Sequence, residues 1–236
     1  MKTDLIDISA NQPCGGCDRC KRLHLAPAID WGALDPQVQG VLVKATEGVD
    51  WRDPCASRHA VAATGFGRSL GAYHYLHVRH LRAQDARVQA RQYLAARAAL
   101  GADRVLPIVD VETAFNTHVG SGPNVGQLLP PDLRATPAEC CQAVTDFVDE
   151  VEQAVGVSPS IYTSSGEWRE MGLGGLTSLA RCPLWLAEYD AGVHPPPPWV
   201  VAVAHQYTGA GTVAGVTGAV DCSELVGPLG ALLMAA

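Results

Sequence analysis

The segment LPIVDVE, residues 106–112, carries an apolar run into two carboxylates, Asp110 and Glu112. On a strand, residues i and i+2 share a face, with Cα atoms ~6.6 Å apart. Two carboxyl groups that close repel each other, so one keeps its proton to higher pH. A protonated acid beside an ionised partner is the pairing that glycosidic bond cleavage requires. A lone D-x-E also suits a strand-end Asp capping a loop beside a solvated Glu. Further acids shift the balance. Asp7 in LIDIS, Asp221 in AVDCS, and Glu188 with Asp190 in PLWLAEYD each follow an apolar run. If those runs are parallel strands, the carboxylates at their ends meet at one mouth.

The elements that would place them can be read from the pattern. Strands are expected at Leu5–Ser9, Val41–Thr46, Ser69–Tyr75, Val105–Val111, Pro159–Thr163, Pro183–Glu188, Val200–Gln206 and Val216–Asp221. Several are continuously apolar, as strands covered on both faces are. Ala83–Leu100 has helix-forming composition and no breaker, with Gly101 to end it. Thr136-Pro137-Ala138-Glu139 reads as an N-cap, a Pro at the first helical position and a capping-box acid, opening a helix to Val155 with Gly156 beyond. Alternating strands and helices predict an α/β fold: a single irregular (β/α) TIM-like barrel with about eight mainly parallel strands, irregular towards its C-terminal end. No repeat or linker divides the chain, so residues 1–236 read as one catalytic domain. The Pro195–Pro198 run reads as a stiff spacer.

The motifs DIS (7–9), IDW (29–31), VKATEG (43–48), GAYHY (71–75), DVE (110–112), IYTS (161–164), LWLAEY (184–189), HQYTGAGTVAGV (205–216) and VD (220–221) occur in order. Together they resemble the glycoside hydrolase family 25 lysozymes over nearly the whole chain. That resemblance implies a muramidase that cleaves the β-1,4 bond between N-acetylmuramic acid and N-acetylglucosamine in peptidoglycan, with no cofactor needed for catalysis. It implies Glu112 as general acid. Asp110 would polarise the substrate's 2-acetamido group, and Asp7 with Asp221 would complete an acidic floor. Tyr73, Tyr162, Tyr189 and Gln206 would line the sugar cleft; as bare residues they fit core aromatics and a buried amide equally well. Retention through the substrate's acetamido oxygen is the expected stereochemistry, although the strand spacing alone lies between retaining and inverting separations.

Three positions depart from the family's usual pattern. His205 stands where Trp commonly precedes Gln-Tyr, Ser223 stands where Asn is common, and residues 13–27 form a Cys-rich insertion after the first strand. Cys14, Cys17, Cys20 and His24 have the spacing C-x2-C-x2-C-x3-H, a ligand set for a structural zinc. An iron–sulfur run of this kind ends in Cys instead. Disulfides, with Cys55 as a partner, and free thiols remain open alternatives. Cys140 and Cys141 fall on an expected helix, Cys182 and Cys222 flank expected strands, and all four read as small core residues.

The 236-residue chain carries a net charge of −7 with scattered Lys and Arg, which argues against nucleic-acid binding. No apolar stretch is long enough to span a bilayer. The start MKTDLIDIS lacks the apolar run of a classical export signal. The corresponding expectation is a phage or bacterial lysin, monomeric or part of a virion or lysis system, acting on the wall after release or non-classical export. A catalytically silent wall-binding or virion module that kept the fold is the alternative. A blocked cleft would favour it.

Overall fold

Strand alternation decides which residues of each apolar run enter the barrel and which face the helices. The computed structural model describes residues 2–82, 84–101, 105–112, 127–190 and 192–227. Much of the Gly/Pro/Asn-rich stretch after Glu112 lies outside them. The strands are β1 (Leu5–Ile8), β2 (Gly40–Glu47), β3 (Trp51–Arg52), β4 (Ser69–Tyr75), β5 (Val105–Asp110), β6 (Ser160–Thr163), β7 (Leu184–Ala187), β8 (Ala204–Gly211) and β9 (Val220–Leu225). The helices are α1 (Asp18–Arg22), α2 (Ala56–Gly65), α3 (Asp85–Ala99), α4 (Pro137–Val155) and α5 (Ser165–Glu170).

The order around the sheet is β1-β9-β8-β7-β6-β5-β4-β2, and a parallel β1–β2 pairing closes the ring. The short β3 hangs on β2 as an antiparallel arm outside the closed ring. All other pairings are parallel except those of β9, which runs antiparallel to both β8 and β1. This is the irregular (β/α) barrel expected from the sequence, with the irregularity at its C-terminal end. No described helix is long and apolar enough to cross a membrane.

Among the described residues, the ring separates the two larger apolar cores. Inside the ring, Leu5, Leu42, Leu106, Ile108, Tyr162, Trp185 and Ala204 pack together. Between the ring and the helices lie Val41, Val43, Val105, Val109, Ile161 and Leu184, with Tyr93 of α3 and Phe147 of α4. Along β5 the parity is plain. Val105 and Val109 face the helices, while Leu106, Ile108 and then Asp110 face the barrel axis. Cys140, Cys182 and Cys222 are buried in the outer core, and Cys141 is partly buried against it.

Helix α4 has the predicted ends. Thr136 Oγ1 accepts from the Glu139 N–H, the Glu139 carboxylate accepts from the Thr136 N–H, and Gly156 closes the helix at φ 82°. Helices α1, α2 and α5 have no counterpart in the sequence reading. Strand β8 begins at Ala204, four residues later than expected, because Val200 and Val201 are exposed. Strand β9 likewise starts at Val220. Of the expected residues before it, Val216 makes only an isolated antiparallel bridge to Ile29, and Gly215 (φ 83°) and Gly218 (φ 87°) interrupt the extended run. The Pro195–Pro198 run is docked: Pro196 is buried, and the Trp168 indole N–H donates to the Pro197 carbonyl at 2.7 Å.

One contact between the layers bears directly on β5. The Tyr93 hydroxyl donates to the Ala72 carbonyl (2.7 Å) and accepts from the Ile108 N–H (3.0 Å), bridging β4 and β5 one turn of pleat below Asp110. Pro107 beside it has no N–H to give the ladder. Tyr93→Phe would leave two buried backbone groups short of a partner. We expect it to cost about 1–3 kcal/mol in urea unfolding. A loss below ~0.5 kcal/mol would show that β4 and β5 close up without the hydroxyl.

Candidate active site

At the end of the barrel where the parallel strands finish, the inward positions turn from apolar to polar. One pocket there is lined by Asp7, Ser9, Asn11, Gln12, Lys44, Tyr73, Tyr75, Asp110, Glu112, Tyr162, Trp185, Tyr189, Gln206 and Asp221, with Ile8. It gathers the eight residues to which the family resemblance assigned catalysis or sugar binding. Register explains the convergence. Asp110 lies beside Tyr75 on β4 and Tyr162 on β6, and Asp7 stands opposite Asp221 across the antiparallel β1–β9 pair.

Asp221 therefore reaches the mouth from the beginning of β9, not from the end of a strand as the sequence suggested. The reversed strand direction brings it to the same place. Glu188 and Asp190 do not join the group. They line a separate depression with Ser164, Ser165 and His194, and a Glu188 oxygen accepts the His194 N–H. Ala187 packs with the inner core and Tyr189 lines the pocket, so alternation turns the residue between them away.

The floor is an oriented network. The Tyr162 and Tyr189 hydroxyls both donate to Gln206 Oε1, at 2.9 and 2.6 Å, and Gln206 Nε2 donates to Asp7 Oδ1 at 2.9 Å. Trp185 packs edge-on against Tyr162, ring centroids 4.5 Å apart, and its indole N–H donates to Ser223 Oγ at 3.0 Å. Ser223, one of the departures, thus anchors a lining residue. His205, another, is buried and bonds the Glu188 carbonyl (2.7 Å) and Glu224 (3.2 Å). Gly209 leaves space for the floor. A Cβ there would lie 3.1 Å from Asp221 Oδ1 and 3.2 Å from the Tyr189 hydroxyl.

The electrostatics are set by burying several carboxyls together. Burial, then the Asp221 charge, pushes Asp7 well above the usual carboxylate range. Burial also raises Asp221. Burial, then the Glu112 charge, raises Asp110 well above that range. Glu112 is pushed up to about 7 by burial and by the charges of Glu167 and Asp221, while the Tyr75 hydroxyl and Lys44 pull it back. Tyr75 donates to Glu112 Oε2 at 3.0 Å. Lys44 sits 4.7 Å from the centre of the Tyr75 ring and pairs with Glu47. Among the described residues, the buried Asp110 Oδ1 has no hydrogen-bond partner.

Sequence reasoning passed over Tyr75, Lys44 and Trp185. The signal was present for the first, since Tyr75 stands two residues beyond Tyr73 on one strand face. Lys44 and Trp185 sit inside quoted motifs, but nothing in their types separates them from ordinary packing.

The insertion after β1 departs from its expected ligand set. Cys14, Cys17 and Cys20 cluster with Cys55, the N-cap residue of α2, and their sulfurs all lie within 4.8 Å of one another. His24 is exposed, at φ 53° just past the end of α1, and lies outside that group. The short helix folds the three thiols inward against α2 and leaves the following turn in solvent. None of the pocket-lining residues comes from 13–27, so the insertion does not cover the cleft.

Comparison with known proteins agrees with this geometry. The model of "Glycosyl hydrolases family 25" matches residues 24–216. An autolytic lysozyme of Clostridium acetobutylicum is 27% identical over 199 residues, 84% of this chain and 52% of that protein. The chain thus spans about half the length of that relative. Lysozyme M1 of Streptomyces globisporus is 26% identical over 219 residues, 89% of this chain and 68% of that protein. In three dimensions the chain is similar to a bacterial lysozyme from Streptomyces coelicolor, with TM-score 0.72 and 23% identity, covering 99% of this chain and 96% of that one. A family GH25 lysozyme from Aspergillus fumigatus follows the same fold, with TM-score 0.65 and 22% identity, covering 97% and 96%.

Proposed function

The chain belongs to glycosyl hydrolase family 25, and on that premise we propose that it is a muramidase, hydrolysing the β-1,4 bond from N-acetylmuramic acid to N-acetylglucosamine in peptidoglycan. The observation that carries the reading is the single pocket in which Asp110 and Glu112 stand together, both held above the usual carboxylate range by burial. Two coupled buried acids lose their protons in two steps, and between the steps the pair carries one proton. That form supplies both an acid and a carboxylate, as glycosidic cleavage demands.

In this reading Glu112 gives its proton to the leaving oxygen. An acid poised near 7 still holds its proton near neutral pH and yields it readily. Asp110 faces the substrate's 2-acetamido group. Its unpartnered Oδ1 accepts the amide N–H, which favours the ionised form and turns the acetamido oxygen towards the anomeric carbon. That oxygen attacks the anomeric carbon and closes an oxazolinium ring as the glycosidic bond breaks and the leaving sugar takes the Glu112 proton; water, giving a proton back to Glu112, then attacks the anomeric carbon and reopens that ring. The configuration at the anomeric carbon is retained. Asp7, which accepts from Gln206, and Asp221 opposite it form an acidic pair beneath the developing positive charge.

Among the described residues, the Cys-rich insertion stays out of the pocket lining, which favours an enzyme over a silent wall-binding module. The test is incubation of the purified chain with peptidoglycan and identification of the new reducing ends. Ends at N-acetylmuramic acid support the reading. A folded protein that cleaves no wall type would overturn it.

The alkaline limb of the pH profile offers a separate check. Tyr75 donates to Glu112 and so favours its ionised form. Removing the hydroxyl in Tyr75→Phe raises the Glu112 pKa, and the alkaline limb of kcat/KM is expected to move up by roughly 0.5–1 unit. A limb that stays in place would mean that Glu112 does not set it.

A further inference from the structure

We propose that Cys14, Cys17, Cys20 and Cys55 form a tetrathiolate site for one Zn2+ ion, which clamps the 13–27 insertion to the start of α2 and fixes one rim of the cleft. The spacing of the sulfurs carries the assignment. Cys14 and Cys20 are 3.8 Å apart, Cys17 and Cys55 3.7 Å, and Cys20 and Cys55 3.8 Å. All four sulfurs fall within 4.8 Å of one another. A zinc ion with Zn–S bonds of ~2.3 Å at the centre of a tetrahedron places its sulfurs ~3.8 Å apart. The cysteines approach from different parts of the chain, as ligands converging on a point do. Cys14 precedes α1, Cys17 caps it, Cys20 lies in its first turn, and Cys55 caps α2 some 35 residues later.

Competing chemistries fit less well. A disulfide needs its sulfurs at ~2.05 Å, and three of the contacts are equally long where two bonded pairs would stand apart from the rest. The thiolates of a multi-iron cluster bind different irons, which separates them beyond the edges of a single-ion tetrahedron. The surroundings are those of a metal site. The Cys20 N–H donates to Cys17 Sγ at 3.4 Å, as backbone amides do around thiolate ligands. Four thiolates and one Zn2+ leave two net negative charges, and Arg19, Lys21 and Arg22 all lie on the five-residue α1. The four ligands fill the tetrahedron, so the role is structural.

The site is joined to the cleft by short links. Asn11 and Gln12, three and two residues before Cys14, line the pocket. Asp53 accepts the Cys55 N–H through Oδ1 and the Ala10 N–H through Oδ2, both at 2.7 Å. His59 of α2 bonds the Gln12 carbonyl at 2.8 Å. A metal that fixes Cys14 and Cys55 therefore fixes the segment that forms the cleft wall.

The test is metal analysis and X-ray absorption on the purified full chain, reduced and supplied with Zn2+. We expect one zinc per chain with four sulfur neighbours at ~2.3 Å. His24→Ala should keep the full zinc content, and Cys55→Ser should lose at least about tenfold in zinc affinity. Three sulfurs and one nitrogen around the zinc would overturn the assignment in favour of His24. Iron in place of zinc, disulfide-linked peptides, or four freely titrating thiols in the presence of zinc would each overturn it outright. The absorption spectrum of the wild type decides the question even where Cys55→Ser fails to fold.

Discussion

Glu112→Gln is expected to slow peptidoglycan cleavage by about 10²–10⁴-fold while making the folded chain more stable at neutral and alkaline pH. The loss follows from the proton. Gln fills the same volume and still accepts from Tyr75, but it has nothing to give a leaving oxygen. The gain follows from linkage. Glu112 sits at about 7 when folded, against an ordinary value of 4.5. A raised acid destabilises the fold once its unfolded form has ionised. Below 4.5 both states hold the proton and the cost is absent; it grows as pH rises and is complete above about 7. The shift corresponds to at most about 3 kcal/mol. Urea unfolding of the two proteins should coincide in acid and separate as pH rises, with the variant the more stable. Equal activity would remove Glu112 from the mechanism. Equal stability at all pH values would mean that its environment does not raise it.

The second large effect is expected for Asp110→Asn, a loss of about 10²–10³-fold in kcat, of the size seen when a charge-stabilising group is removed from an active site. The change is nearly isosteric, but the amide presents no charge to the acetamido group and offers a donor where an acceptor is needed. The pH profile separates this role from a packing role. Burial and the Glu112 charge raise Asp110, and the proposed chemistry needs it ionised, so wild-type activity should climb as pH rises through that ionisation. The residual activity of Asp110→Asn should lack this acid limb and fall only on the alkaline side. A variant that keeps both limbs at reduced height would assign Asp110 a structural part only.

Local pattern alone was enough for much of the molecule. Ser69–Tyr75 and Pro137–Val155 have the bounds read from sequence, because alternation, a capping box and a terminal glycine are all encoded within a few residues. Asp110 and Glu112 were visible for the same reason: an apolar strand running into two acids is a short-range signal. What escaped the sequence depended on partners far along the chain. The reversal of β9 brings Asp221 to the mouth from the start of its strand, and only the pairing with β1 and β8 reveals this. Glu188 looked like Asp7 and Asp221 in its local setting, yet strand parity on the closed barrel turns it into a different depression. The fourth member of the thiol cluster is Cys55 rather than the nearby His24, because the fold brings the start of α2 against Cys17 and Cys20 while His24 stays in solvent. Short-range pattern determines which segments become strands and helices, since backbone hydrogen bonds and alternation act over a few residues. Ring closure, strand direction and packing decide which side chains share a site, since those act between segments that the chain itself holds far apart.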